Sequence, residues 1–162
     1  MFSSNSEYKT QAEIALPAFG LAFNATEPQS AALFAPLFLP STSSNPDFNV
    51  PVINDTINTG TGIQIQNTGI YQINYSITIS LDNNPTAPEG ARFFLALNSP
   101  TNLIPGSGTA VRSNVIGTGE VTVSSSAILI NLNPGNLIQI VPAELIGTVD
   151  IRSAALTVAQ IA

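Results

Sequence analysis

From Ile70 to Leu81 the chain alternates. Tyr71, Ile73, Tyr75, Ile77, Ile79 and Leu81 fall on one parity, and Gln72, Asn74, Ser76, Thr78 and Ser80 fall on the other. A period of two built from β-branched and aromatic residues predicts a long strand with one apolar face, because a helix would spread the same residues around its circumference. The second face is polar without charge, whereas a solvated strand face ordinarily carries Lys, Glu or Arg. That pattern predicts burial of the face against another polar surface, a neighbouring subunit or strand.

The rest of the chain punctuates in the same way. Leu16 to Asn24 predicts a short strand with Phe19, Leu21 and Phe23 on one parity, bounded by Pro17 and by Glu27 and Pro28. Between Ala31 and Leu39 the apolar residues surround Pro36, which favours an extended segment packed on the body over a helix. Its side chains either fill the core or expose Phe34, Leu37 and Phe38 as a strip for a partner. Residues 41–49 read as a loop, Val50 to Ile57 as an edge strand carrying Pro51, and Ile63 and Ile65 as a short strand between glycine turns. Asp82 to Gly90 is a proline-rich loop. Arg92 to Asn98 is a strand with Phe93, Leu95 and Leu97 facing one way and Phe94 the other, extended by Asn102 to Ile104.

Thr109 to Ile116 and Gly119 to Ser124 read as two strands joined by hairpin glycines. Ile128 to Leu132 and Leu137 to Val141 read as a hairpin around Asn133, Pro134, Gly135 and Asn136, with Pro second and Gly third as a type II turn requires. Val149 to Ala162 closes the chain with small alternating residues, Ala155, Thr157 and Ala159 against Ala154, Leu156 and Val158, which suits tight sheet packing near an axis. No stretch combines a helix cap with a 3.6-residue period. Eight to ten short strands separated by turns predict an all-β sandwich or barrel. At 162 residues the chain is sized for one domain, here residues 17–162 behind a mobile arm at 1–16.

Composition sharpens this picture. Charged residues make up 9% of the chain against about 25% in an ordinary soluble domain, so amides and hydroxyls supply the surface polarity and copies repel one another weakly. The net charge is −6, with Lys9, Arg92, Arg112 and Arg152 the four cations. Four scattered cations cannot displace counterions from nucleic acid, and anionic membrane surfaces are disfavoured on the same ground. There is no Cys and no His, which removes disulfides, the usual zinc ligand sets and imidazole acid–base chemistry. The amino-terminal residues lack the cationic start and apolar run of a secretory signal, so synthesis in a cytoplasm is expected. The apolar window from Ala31 to Pro40 is too short to span a bilayer.

The remaining acid–base groups are carboxylates: Asp55, Asp82, Glu89, Glu120, Glu144 and Asp150 in the body. A glycosidase would need two of them across a cleft, and a calcium site built on Asp82 and Glu89 would need six to eight oxygens. Five of the six lie beside turns or strand ends, where solvated acids are expected. No catalytic, cofactor or metal residue is therefore assigned, and the chain is read as non-enzymatic. Gly106 and Gly108, like Gly117 and Gly119, have no lysine at phosphate-loop spacing and read as hairpin glycines. Glycosylation triplets at Asn24, Asn54 and Asn74 are chance-level matches in so Asn- and Thr-rich a chain, and Asn74 lies in mid-strand. Tyr71 and Tyr75 read as core residues with hydroxyls hydrogen-bonded at the sheet margin.

Three stretches in succession, Gly69 to Tyr75, Leu132 to Ile140 and Ala154 to Ala159, resemble domains of the C1q and tumour-necrosis-factor type, with their Gly-x-Tyr strand, Leu-x-x-Gly-Asn turn and final strand near a trimer axis. Leu16 to Gly20, Val50 to Thr56, Ile104 to Val121 and Glu144 to Arg152 also resemble the BxpB/ExsF family of exosporium basal-layer proteins of spore-forming bacilli, a likeness running along nearly the whole chain from Leu16. The resemblance implies a jelly-roll sandwich of about ten strands assembling as a homotrimer. It further implies a structural protein of the spore surface, made in the mother cell and binding other basal-layer proteins and the collagen-like nap glycoprotein that it anchors. On this reading the trimer interface is expected at Gln72, Asn74, Ser76, Thr78, Ser80, Ala155, Thr157 and Ala159. Partner docking is expected at Phe34, Leu37 and Phe38.

Overall fold

Twelve strands, several of only two or three residues, build two antiparallel sheets in the computed structural model, which describes residues 16–26, 28–41, 53–81, 88–115, 117 and 119–162. Nearly all of the expected arm, the loop after Ser41 and most of the loop after Leu81 lie outside those residues. The strands are β1 (Phe19–Asn24), β2 (Gln29–Ser30), β3 (Ile53–Asn54), β4 (Thr56–Asn58), β5 (Ile63–Ile65), β6 (Gly69–Ser80), β7 (Glu89–Leu97), β8 (Thr109–Ser113), β9 (Glu120–Ser124), β10 (Ile128–Leu132), β11 (Leu137–Ile146) and β12 (Asp150–Gln160). A seven-stranded sheet runs β10-β6-β12-β1-β3, with β9 continuing the β10 edge of β6 and β2 the β1 edge of β12. The five-stranded sheet runs β4-β5-β11-β7-β8.

The long alternating stretch is β6, at the centre of the seven-stranded sheet. Its apolar parity is buried: Tyr71, Ile73, Ile77 and Ile79 have no exposed surface. They meet Phe93, Leu95, Ile138 and Ile140 of the facing sheet in one continuous core. Each fully buried side chain of this size contributes roughly 1.5–3 kcal/mol, so this layer carries much of the fold.

Three local expectations are corrected by the pairing. The turn at Asn133 to Asn136 is present, with Asn136 N–H donating to Asn133 O at 3.0 Å and Gly135 at φ 89°. It joins no hairpin, however: β10 pairs β6 in one sheet, while β11 pairs β5 and β7 in the other. Likewise β8 pairs β7 and β9 pairs β6, so the glycines at 117 and 119 belong to a crossing between sheets. The stretch read as one edge strand from Val50 is divided at Asp55, whose φ is 49°. On either side of it β3 pairs β1 and β4 pairs β5, one in each sheet. A smaller correction concerns Asn102 to Ile104, which folds back beside β7 instead of extending it: Leu103 bridges Ala96, and Ile104 N–H donates to Leu95 O at 2.8 Å.

Residues 31–41 run as an extended strap along β11 and back to β1. Phe34 and Leu37 N–H donate to the carbonyls of Pro142 and Ile140, and Ser41 N–H to Phe23 O. Because the Pro142 carbonyl points at the strap, its ring nitrogen faces the same way and no ladder bond to β7 is lost, which is how a proline is tolerated inside a ten-residue strand.

Both tyrosines are core residues as expected, but only the Tyr71 hydroxyl lies at the sheet margin; that of Tyr75 is buried between the sheets. Tyr71 hydroxyl donates to Asn67 O at 2.8 Å, and Tyr75 hydroxyl meets Phe93 O, Ser107 O and Thr109 Oγ1 at 2.9, 2.8 and 2.9 Å. Burial pushes both phenols above the ordinary value of 10.0; the Asp55 charge adds to this at Tyr71, and the Thr109 hydrogen bonds oppose it at Tyr75. Below that value both tyrosines are neutral in folded and unfolded chains alike, and their contribution to stability is complete. As pH rises past it the unfolded chain loses its protons first, so stability falls until the folded-state values are passed. Urea unfolding at about pH 8 and about pH 11 should show a drop in midpoint that is smaller in Tyr75→Phe; an equal drop in both would assign the loss to other groups.

Candidate assembly surface

The outer face of the seven-stranded sheet is set by register. Across β1, β12 and β6, Phe19, Ala159 and Gln72 form one row, Leu21, Thr157 and Asn74 the next, and Phe23, Ala155 and Ser76 a third. Beyond β6, Leu129 of β10 lies beside Gln72, and Ser124 and Thr122 of β9 lie beside Ser76 and Thr78. The face is thus apolar along β1, small along β12, and amide- and hydroxyl-bearing along β6, with Leu129 62% exposed at its far edge.

On β1 the large residues face outward because the inward parity, Gly20, Ala22 and Asn24, is small and buried. A Cβ at Gly20 would stand 2.6 Å from Thr56 Oγ1, so the sandwich closes too tightly there for a larger inward residue. Phe19, Leu21 and Phe23 are left half-buried on the outer surface, a row that parity alone does not assign to either side.

Of the expected interface residues, Gln72 and Asn74 are exposed, Ser76 and Thr78 half-buried, and Ala155, Thr157 and Ala159 share their face. Ser80 is fully buried between Asp150 and Glu120 on the adjoining strands, so it is shielded within its own chain. Thr78 and Thr122 hydroxyls bond at 2.8 Å, and Thr157 donates to Asn74 O at 3.2 Å. Where β9 ends and β10 begins, a depression of about 190 Å3 opens between Asn74, Ser76, Ser124, Ser125, Ala155 and Thr157. Charge enters at one end of the face, where Arg152 Nε lies 3.7 Å from Glu120 Oε1. The β12 bulge between Ile151 and Ser153 falls at this arginine.

The three residues expected to dock a partner separate. Leu37 is buried in the core, while Phe34 and Phe38 are 41% and 46% exposed beside Leu33. Phe38 is presented on a fixed backbone: the Gln29 side chain accepts its N–H at 2.8 Å and donates to its carbonyl at 3.0 Å. Phe34 is held at φ 54°, a conformation uncommon for a bulky residue.

Among the described residues no three acids gather as a metal-binding group. Glu120 and Asp150 flank Ser80, but each is engaged, Glu120 by Arg152 and Asp150 by the Ser30 hydroxyl at 2.9 Å. Glu89 departs from the solvated reading. It shares its parity with Ala91, Phe93 and Leu95, is 3% exposed, and leaves Oε1 without a partner among the described residues. A larger concavity of about 450 Å3 at the other end is lined by Leu16, Pro17, Asp55, Asn67, Gln160, Ile161 and Ala162.

No protein-family model matches this chain, and no curated protein does. Solved structures match it over its length. The globular domain of zebrafish complement 1qA protein superposes with a TM-score of 0.57 at 14% identity, covering 90% of this chain and 98% of that one. Eiger TNF from S. frugiperda gives 0.57 at 14%, covering 91% and 92%. Murine APRIL gives 0.53 at 10%, covering 90% and 99%. The chain has a C1q/TNF-like jelly-roll fold.

Proposed function

We propose that this protein is a non-enzymatic structural building block that assembles as a homotrimer through the outer face of its seven-stranded sheet. The observation that carries the reading is the face itself. Phe19, Leu21 and Phe23 lie beside alanines and an uncharged β6 row, a combination that a solvated sheet surface does not need and a subunit interface does. The resemblance from Leu16 onward to the BxpB/ExsF family supports placing these trimers in the basal layer of a spore exosporium. There they would bind other basal-layer proteins and anchor the collagen-like nap glycoprotein, with Phe34 and Phe38 as the docking residues.

Light scattering on the purified chain should give about three times the 16.9 kDa of one protomer, and a single-chain mass across a wide concentration range would refute the trimer. Spores lacking the protein should shed the nap glycoprotein; retention of the nap would refute the anchoring role while leaving the trimer standing. The alternative, a carbohydrate- or ligand-binding jelly-roll module, calls for a concavity walled by aromatic rings. Among the described residues the 450 Å3 concavity has none, and the depression on the assembly face carries only Tyr75, whose ring belongs to the core.

A further inference from the structure

Two of the four cations, far apart in sequence, meet on the outer face of the five-stranded sheet. Register sets Gly90 of β7 between Arg112 of β8 and Ile146 of β11, and Arg92 between Ala110 and Glu144. Arg112 is therefore the diagonal neighbour of Arg92, a spacing that long side chains bridge. The missing side chain of Gly90 and the methyl of Ala110 leave a notch of about 120 Å3 walled by Arg92, Arg112, Glu144 and Ile146. A Cβ at Gly90 would stand 2.6 Å from the Val111 carbonyl oxygen, so the approach of β8 holds this position to glycine and the notch open.

The guanidinium carbon of Arg92 lies 5.1 Å from the Phe94 ring centroid, a stacking contact that steadies the group while leaving its N–H edge available. The described residues contain one ion pair, Arg152 with Glu120, so neither Arg92 nor Arg112 is neutralised by a described carboxylate. On a chain of net charge −6, two exposed guanidiniums beside a backbone-floored notch form a local site of opposite sign.

We propose that this notch binds a carboxylate, held between the Arg112 and Arg92 guanidiniums, whether the group belongs to a small free acid or to an acidic side chain of a polypeptide. Charge-assisted bonds from a fork to a carboxylate supply the affinity. Glu144, on the far side of Arg92, opposes it and keeps binding weak. The notch lies on the sheet opposite the assembly face, so the inference stands whether or not the chain forms trimers.

The test is an NMR titration of the full chain with succinate and, separately, with tetraglutamate, following the arginine Nε–H signals and the amides of residues 90–92 and 110–112. Saturable shifts confined to these signals are expected. Arg112→Gln should weaken binding roughly tenfold, as loss of one charge-assisted contact implies. Glu144→Gln should tighten it about threefold by removing a like charge, and added salt should weaken it. Saturation by succinate assigns the site to small carboxylates, and saturation by tetraglutamate alone assigns it to acidic side chains; either supports the proposal. Shifts that grow linearly, or that are unchanged in both variants, overturn it. The opposite signs expected for the two substitutions separate a binding effect from a loss of folding.

Discussion

Ala155→Asp should convert the proposed trimer to monomers while leaving the sandwich folded. Ala155 stands at the middle of the outer face, opposite Ser76 on β6 and Phe23 on β1. A carboxylate there is too short to reach solvent once another subunit covers the sheet. An unpaired charge buried in an interface costs several kcal/mol, and each of the three subunits would bring one. Association weaker by at least about a hundredfold, close to 3 kcal/mol, is the expected result, read as a light-scattering mass falling to 16.9 kDa. The folded monomer should lose only about 0.5–1 kcal/mol from the poor strand preference of Asp, because the side chain points away from the core. Ala155→Ser should remain trimeric. Ala155→Asp that stays trimeric at the same concentration would move the interface to another surface.

This face was half legible in the sequence, for a physical reason. The β6 alternation is readable because a period of two sustained over its length has no other meaning, and it assigns Gln72, Asn74, Ser76 and Thr78 to one side. Which side of β1 faces out is not readable from Phe19, Leu21 and Phe23, since large apolar residues on one parity ordinarily mark the core. The signal that could have made the assignment is the smallness of Gly20 and Ala22; at Gly20 the close approach of Thr56 explains it. Ser80 follows the parity of its neighbours yet is buried, with Asp150 and Glu120 beside it on the two adjoining strands.

Turn chemistry was legible and strand partnership was not. Pro134 and Gly135 fix a reversal of direction, but a corner between two sheets and a hairpin within one need the same dihedral angles. Choosing between them takes the partners of β10 and β11, which lie 41 to 75 positions away in sequence. Glu89 and the arginine notch are hidden on the same ground. A loop-flanking acid looks solvated until its parity with Ala91 and Phe93 carries it inward, and Arg92 and Arg112 look scattered until the β7–β8 register sets them on one diagonal.

Tyr75→Phe should destabilise the protein by about 1–3 kcal/mol, more than the removal of one oxygen from a hydrophobic core would suggest. The hydroxyl comes from the seven-stranded sheet and is received wholly by the other: Phe93 O on β7, Ser107 O, and Thr109 Oγ1 at the start of β8. Ser107 is itself 1% exposed. It accepts Leu95 N–H at 2.9 Å and donates to Ile104 O at 2.7 Å, so the turn leading into β8 is tied to β7 through the same cluster. Phenylalanine would fill the space and leave these oxygens short of a donor in a region water does not reach, which is the costly way to lose a hydrogen bond. Tyr71→Phe provides the contrast, because its hydroxyl has one partner, the carbonyl of Asn67, an exposed residue at the sheet margin. Urea unfolding should therefore rank Tyr75→Phe well below Tyr71→Phe in midpoint with unchanged slopes. Equal losses in the two variants would mean that the bond between the sheets is worth no more than a bond at their edge, and that the core holds the sandwich together without it.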